Sequence, residues 1–521
     1  MEFRLPETPL LRIFSFLDAF SLLQAGQVNK HWNKVAESDH LWRNLCLRKW
    51  SLPSSHNLCL PLPSWKQFFF HHMRRQRRMA SAKLEDFIYK EGDDNLGILR
   101  HMAYLSGSYR PVEGQEKPVL CTVSSRHVLY AWDVQEGTVI WSSPVQQSSI
   151  KFLATLPQLR LVFTVDMEET VKVWNCQHED ALAVRTIPRV SFSMEALLAK
   201  EDPFLMVSEL AAVVALFWPR PNLSPGGIST TDSRSHDLPV NAGHKDLDTV
   251  LAFVIPQVGS SEGSICTLTV PGLEMVSIVN VFNHSVDLLC CSPDTRWVLA
   301  AVTYQRVLPR VFLAECLLRL DTGRAPLSVS LPVLGCCAAC WAPRRANRVT
   351  LMFRRAPSKK TGFSTFDVTT ERIRDKTVIQ AHQVASFALP IDMESPVQMG
   401  VSDGTVIVVY SGPQLLLLTI SGLPLQRFHD HQLSICHLCV GPLYVLTTSM
   451  DNHLHLYMWE DKGRYPYLKS CFDLEHRRGD KTLSCYVSRA ICDEVSIVCV
   501  VSRNFESSVL VMYSLDTCDG V

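Results

Sequence analysis

Three residue groups in this 521-residue chain have the types and spacing to do chemistry. Cys336, Cys337 and Cys340 in LGCCAACW contain a CxxC, the kernel of a zinc or thiol–disulfide site. His429 and His431 in FHDHQLS offer two imidazoles close enough to share a cation. The run Arg74, Arg75, Gln76, Arg77, Arg78 has the charge density of a nuclear-localisation patch or a nucleic-acid contact. Each group is incomplete. No second Cys pair stands at zinc-ligand spacing, and the Val, Leu, Ala and Trp around the thiols fit buried strand cysteines. No further ligand cluster accompanies the two histidines, which read as loop residues between β units. The arginines sit at the far end of a predicted helix, where the dipole favours cations on a solvated face. GxxxxGK[ST] and HExxH are absent from the sequence, so no phosphate cradle or helical zinc pair is expected. The expectation is a non-enzyme with no catalytic residue, no cofactor and no metal.

Composition narrows the partners. Lys plus Arg and Asp plus Glu number 51 each, a balance that argues against nucleic acid as the main partner of the whole chain. Eighteen cysteines lie scattered in apolar runs, and the start MEFRLP has no apolar signal core. Reduced thiols in the cytoplasm or nucleus are therefore expected. The uncharged stretch from Thr405 to Leu425 is long enough to span a bilayer, but Ser411-Gly412-Pro413 interrupts it. Two buried strands joined by a turn explain it better, so no membrane partner is expected.

The elements that would position a site begin with 1–50. Pro9 suits a first helical position, and Leu10, Ile13, Phe14 and Leu17 follow on one helical face. Ser21 can cap a second short helix carrying Leu22 and Leu23. A third segment sets Val28, Trp32 and Val35 opposite Asn29, Lys30, Asn33 and Lys34, and Ser38 or Asp39 caps a fourth with Leu41, Trp42 and Leu45. So much apolar surface in a segment near the lower size limit of a self-sufficient domain must be covered by the rest of the chain or by another protein. The Pro-rich 51–64 leads to a helix capped by Ser64, whose Trp65, Phe68, Phe69 and His72 recur at helical spacing.

Leu5-Pro6, Leu10, Ile13-Phe14, Leu17, Leu22-Leu23, Val28, Trp32 and Leu41-Trp42 match an F-box nearly position for position, and the chain resembles an F-box/WD-repeat protein. The resemblance implies that these twelve residues bind a Skp-type adaptor and, through it, a cullin scaffold of a ubiquitin ligase. It implies a substrate receptor, with a WD-repeat scaffold or a pseudo-receptor that promotes no ubiquitin transfer as the alternative. Some members read phosphorylated motifs with clustered arginines on the propeller, and candidate basic pairs here are Arg344-Arg345, Arg354-Arg355 and Lys359-Lys360.

From about Asp94 the pattern turns to short β segments. HVLYAWDVQEG, TVKVWNCQHED, TVIVVYSGPQ and HLHLYMWEDKG are alternating apolar strands ending in an aromatic, with weaker copies from Val214, Ile265, Val311, Phe363 and Val509. Asp166, Asp403 and Asp451 fall in the tight turn before such strands, where a carboxylate can pin the turn. Nine anchors exceed the usual blade number by one, so the expectation is an F-box (1–50), a Pro-rich loop and linker helix (51–93), and a β-propeller of seven or eight blades (94–521).

Overall fold

The computed structural model describes residues 5–50, 64–92, 96–105, 118–199, 202–210, 263–303, 305–318, 325–355, 360–374, 376–390, 398–460, 463–475, 485–503 and 507–515. The expected strand from Val214 and most of the 51–64 loop lie outside these residues.

Short polar caps divide the N-terminal segment into helices α1 (Glu7–Phe14), α2 (Ala19–Gly26), α3 (Lys30–Ala36) and α4 (Asp39–Trp50). The first begins two residues before Pro9, which sits in the first turn where no backbone donor is needed. Asp18, rather than Ser21, caps α2 by accepting the Ser21 N–H at 2.7 Å, and Asn29 caps α3 through the Trp32 N–H at 2.8 Å. Leu10, Phe14, Leu22, Val35, Leu41 and Trp42 close a core between these helices. The expected Ser64 cap starts α5 (Trp65–Ser81), and Trp65, Phe68, Phe69 and His72 are all buried. Trp42 and Trp50 pack on Phe69 with ring centroids 5.5 and 5.1 Å apart, which welds α5 to α4.

The rest of the chain forms eight four-stranded antiparallel sheets. In chain order their strands span 99–142, 150–186, 190–282, 288–330, 336–388, 399–428 and 435–475, and the eighth takes three strands from 485–515. Its fourth, outermost strand is Phe87–Glu91, paired antiparallel with Ser507–Leu515. The propeller therefore starts upstream of the expected boundary at 94, because closing the ring leaves the last sheet an edge that an N-terminal strand covers. The first strands of successive blades line the centre. There Gly400 lies so close to the seventh blade that an added Cβ would come within 2.2 Å of Val440.

Eight apolar clusters each join two neighbouring blades, including one between the eighth and the first built from Val498, Val500 and Leu510 with Leu120 and Trp132. Eight blades with eight seams make a closed ring. Eight of the nine strand anchors fall one to a blade. TVIVVY, however, is the second strand (Val406–Ser411) of its blade, so Asp403 pins the turn before that strand by accepting the Thr405 N–H at 2.9 Å. The uncharged stretch is a buried hairpin, Val406–Ser411 with Gln414–Thr419. Among the described residues no helix is long and apolar enough to cross a membrane.

The hairpins joining first to second strands share one face of the ring, and α5 lies there. Met79 and Ala82 enter the seam between blades seven and eight, and His72 Nδ1 meets Glu494 at 2.6 Å in the blade-eight hairpin. Glu494→Ala removes a buried hydrogen-bond partner and is expected to cost about 1–3 kcal/mol. It should also speed proteolysis between residues 64 and 92. Denaturant unfolding with an unchanged midpoint would count against this contact as the fastening.

Candidate functional site

The twelve residues singled out in the helical segment divide by exposure. Leu10, Phe14, Leu22, Leu41 and Trp42 are at most 2% exposed and form the domain's own core. Leu17, Leu23 and Trp32 are half-buried, Trp32 standing edge-on to Phe14 at 5.4 Å. Leu5, Pro6, Ile13 and Val28 are exposed. The first five can shape an interface only by holding the others in place. None of Ile13, Phe14 and Trp32 packs into the β-rich body.

Sequence reasoning missed Phe16 and Phe20, 79% and 68% exposed. They are apolar residues out of phase with the buried stripe, and that mismatch was the available signal. Both edge a groove of about 650 Å³ between the α1–α2 turn, α4 and α5. Leu17, Leu23, Leu45, Phe69, Phe70 and Met73 form its floor, and Lys49, Arg74, Arg77 and Arg344 stand around it with Asp18 the lone acid. An apolar trough with a basic rim suits an amphipathic acidic segment of a partner. The arginine run is thus split between two jobs: Arg74 and Arg77 border the groove, while Arg75 Nε lies 3.9 Å from Glu494.

The propeller's opposite face carries the turns between second and third strands. In blades one and two a Trp on the third strand donates to a Thr on the second: Trp132 to Thr122 and Trp174 to Thr164, both at 2.9 Å. The same ten-residue interval in blade seven leads from Thr447 to Tyr457, so Tyr457 rather than Trp459 occupies the equivalent place. His431 completes this network, with Nε2 2.9 Å from Thr447 Oγ1 and Nδ1 3.3 Å from the Asp451 carboxylate. Burial, helped by neighbouring His455, holds its pKa below the ordinary 6.5 despite Asp451. The carboxylate can only accept, so Nδ1 carries the proton and Nε2 accepts from the threonine.

The thiol cluster behaves as expected of strand cysteines. Burial pushes Cys336 up to about 12 and Cys340 to about 11, which removes thiolate reactivity at neutral pH. Of the basic pairs, Arg344 and Arg345 belong to the hairpin face that carries the helical domain, and Arg345 Nη2 lies 2.8 Å from Asp367. Beside it Arg348 grips the same carboxylate bidentately at 2.6 and 2.7 Å and donates to the Gly404 carbonyl of blade six at 3.0 Å. Arg354 lies in the second strand of blade five and Lys360 opens the third, whereas Lys359 and the Arg355 side chain fall outside the described residues. Among the described residues one trio has metal-ligand spacing, His453, His455 and Asp473, which sequence reasoning passed over as strand residues.

Comparison with known proteins supplies a context for this geometry. An F-box-like family model matches residues 3–48. Over 517 residues the chain is 46% identical to human F-box/WD repeat-containing protein 12, covering 99% of this chain and 100% of that protein. It is 32% identical to mouse F-box/WD repeat-containing protein 15 over 519 residues, again 99% and 100%. The fold is similar to that of Sqt1 from Chaetomium thermophilum, with a TM-score of 0.50, 11% identity, and coverage of 82% of this chain and 98% of that one.

Burial alone would raise the Asp367 pKa, but Arg348 and then Arg345 outweigh it and hold the group below the ordinary 3.8. A depressed carboxylate stabilises the fold above its unfolded pKa and loses that contribution as pH falls through the folded value. Asp367→Asn should therefore be less stable than the wild type at pH 7, with the gap closing below about pH 4 in denaturant titrations. A gap independent of pH would exclude the ion pair as its source.

Proposed function

The chain belongs to the F-box/WD-repeat protein family, and on that premise we propose that it is the substrate-receptor subunit of a Skp–cullin–F-box ubiquitin ligase. Proteins of this family are typically non-catalytic adaptors. One observation carries the reading. A helical domain with its own closed core still exposes Leu5, Ile13, Phe16, Phe20 and Val28, each 47–79% accessible, beside a basic-rimmed apolar groove. Surface of that kind is covered when a partner docks. The docking partner is the Skp-type adaptor, which brings the cullin scaffold.

The geometry supports a division of labour. α5 mounts the helical domain on one face of the ring, and the face with the opposite turns is left to a protein substrate. Catalysis is then proximity: substrate lysines are held near a ubiquitin-charged enzyme recruited by the cullin, which raises the effective concentration of the reacting pair. A rigid mount serves this better than a flexible tether, because effective concentration falls when the spacing is not held.

Phe16→Ala and Phe20→Ala should each weaken binding of a Skp-type adaptor by roughly 2 kcal/mol, about 30-fold, and leave the thermal unfolding of the chain unchanged. Ile13→Ala should act in the same direction. Titration calorimetry with purified adaptor reads both, and wild-type affinity in all three variants would place docking elsewhere. Receptor and scaffold are separated in cells with the proteasome blocked. A receptor raises ubiquitylation of the proteins it binds, and a scaffold or pseudo-receptor raises none.

A further inference from the structure

At the outer part of blade seven, two imidazoles converge on one carboxylate. His453 and His455 stand at i and i+2 of the third strand (His453–Glu460), so both project from the same face of the sheet. The fourth strand (Tyr467–Glu475) sets Asp473 directly opposite His455. His453 Nδ1 lies 2.9 Å from Asp473 Oδ2, and His455 Nε2 lies 3.7 Å from Asp473 Oδ1. One ligand atom from each residue falls within 4.8 Å of the other two. The two rings are nearly parallel, 10° apart with centroids separated by 6.1 Å.

We propose that His453, His455 and Asp473 form a site for a divalent cation of borderline softness, of which Zn²⁺ is the type. One carboxylate oxygen serves His453, and the other stands 3.7 Å from His455 Nε2, close enough for an ion to bridge the three side chains. Two neutral imidazoles and one carboxylate are a donor set that suits zinc. Metal–ligand bonds of about 2.1 Å in a tetrahedron set neighbouring ligand atoms about 3.4 Å apart, so the observed spacings need only small side-chain rotations. The fourth position borders the Asp430 carbonyl oxygen, 3.1 Å from His455 Nε2. Tyr457 holds that residue by donating its hydroxyl to Asp430 Oδ2 at 2.8 Å. The His431 ring packs edge-on against His455 at 4.5 Å and is itself committed to Thr447 and Asp451, which fixes the buried ligand from behind. His453 begins its strand just past the Asp451 turn, on the face opposite the helical domain. The ion would clip the third and fourth strands together there and leave Asp473, 43% exposed, within reach of solvent.

Purified full-length chain, treated with a chelator and then dialysed, should bind one equivalent of Zn²⁺ by calorimetry. Co²⁺ in its place should give visible d–d absorption without the near-ultraviolet thiolate charge-transfer band, since no cysteine is a ligand. His453→Gln and Asp473→Asn, both at partly exposed positions, should weaken Zn²⁺ binding by at least about tenfold with an unchanged circular dichroism spectrum. Cys336→Ser with Cys340→Ser should leave it unaltered. Failure of the wild type to bind, a thiolate band, or equal affinity in the two ligand variants would overturn the site.

Discussion

Helix α5 is buried at both ends, and everything else in the molecule is arranged around that. Its first two turns give Trp65, Phe68 and Phe69 to the helical domain's aromatic core, while Met79 and the following Ala82 belong to the seam between blades seven and eight. His72 sits between the two halves against Glu494. A few residues further on, Phe87–Glu91 is the outermost strand of the eighth blade. One continuous segment is thus the last helix of the first domain and the clasp of the second. It cannot shift in one without disturbing the other, because close-packed interiors have few alternative arrangements.

This constraint explains which face of the ring is taken and which is free. The hairpins between first and second strands meet α5 and, through Arg344, the apolar groove. The turns between second and third strands are left open. There the pinning hydrogen bonds differ from blade to blade. Blades one and two use a tryptophan on a threonine and blade seven uses a histidine with an aspartate, whereas on the helix-bearing face blade five anchors Arg348 on Asp367 and reaches the Gly404 carbonyl of blade six. These are different solutions to one need, which is to satisfy polar groups at a seam that water cannot enter.

Much of this was legible in the sequence because it is local. Helix starts follow from caps, and a one-turn reach is all a cap requires, so Ser64 was correctly placed while Asp18 and Ser21 were confused within three residues. Strand alternation marked one anchor in each of the eight blades. It did not distinguish a second strand from a third, as at TVIVVY, since both alternate and both are buried. Trp459 looked like the counterpart of Trp174 by distance from the turn. Register against the threonine instead gives that place to Tyr457: the two turns are equal in length, but Asp451 stands four residues past its threonine and Asp166 only two.

The sequence by itself determined the helical segment, its family resemblance, the β-repeat character of the remainder and the strand setting of Cys336, Cys337 and Cys340. These depend on spacing over a few residues, which the chain carries with it. Tertiary structure alone decided the blade count, the exposed rather than buried members of the apolar set, and the meeting of His453 and His455 with Asp473. Each of these follows from strand pairing and seam closure between distant segments. Whether an apolar side chain is covered, or an imidazole faces a carboxylate, depends on what the rest of the ring places beside it.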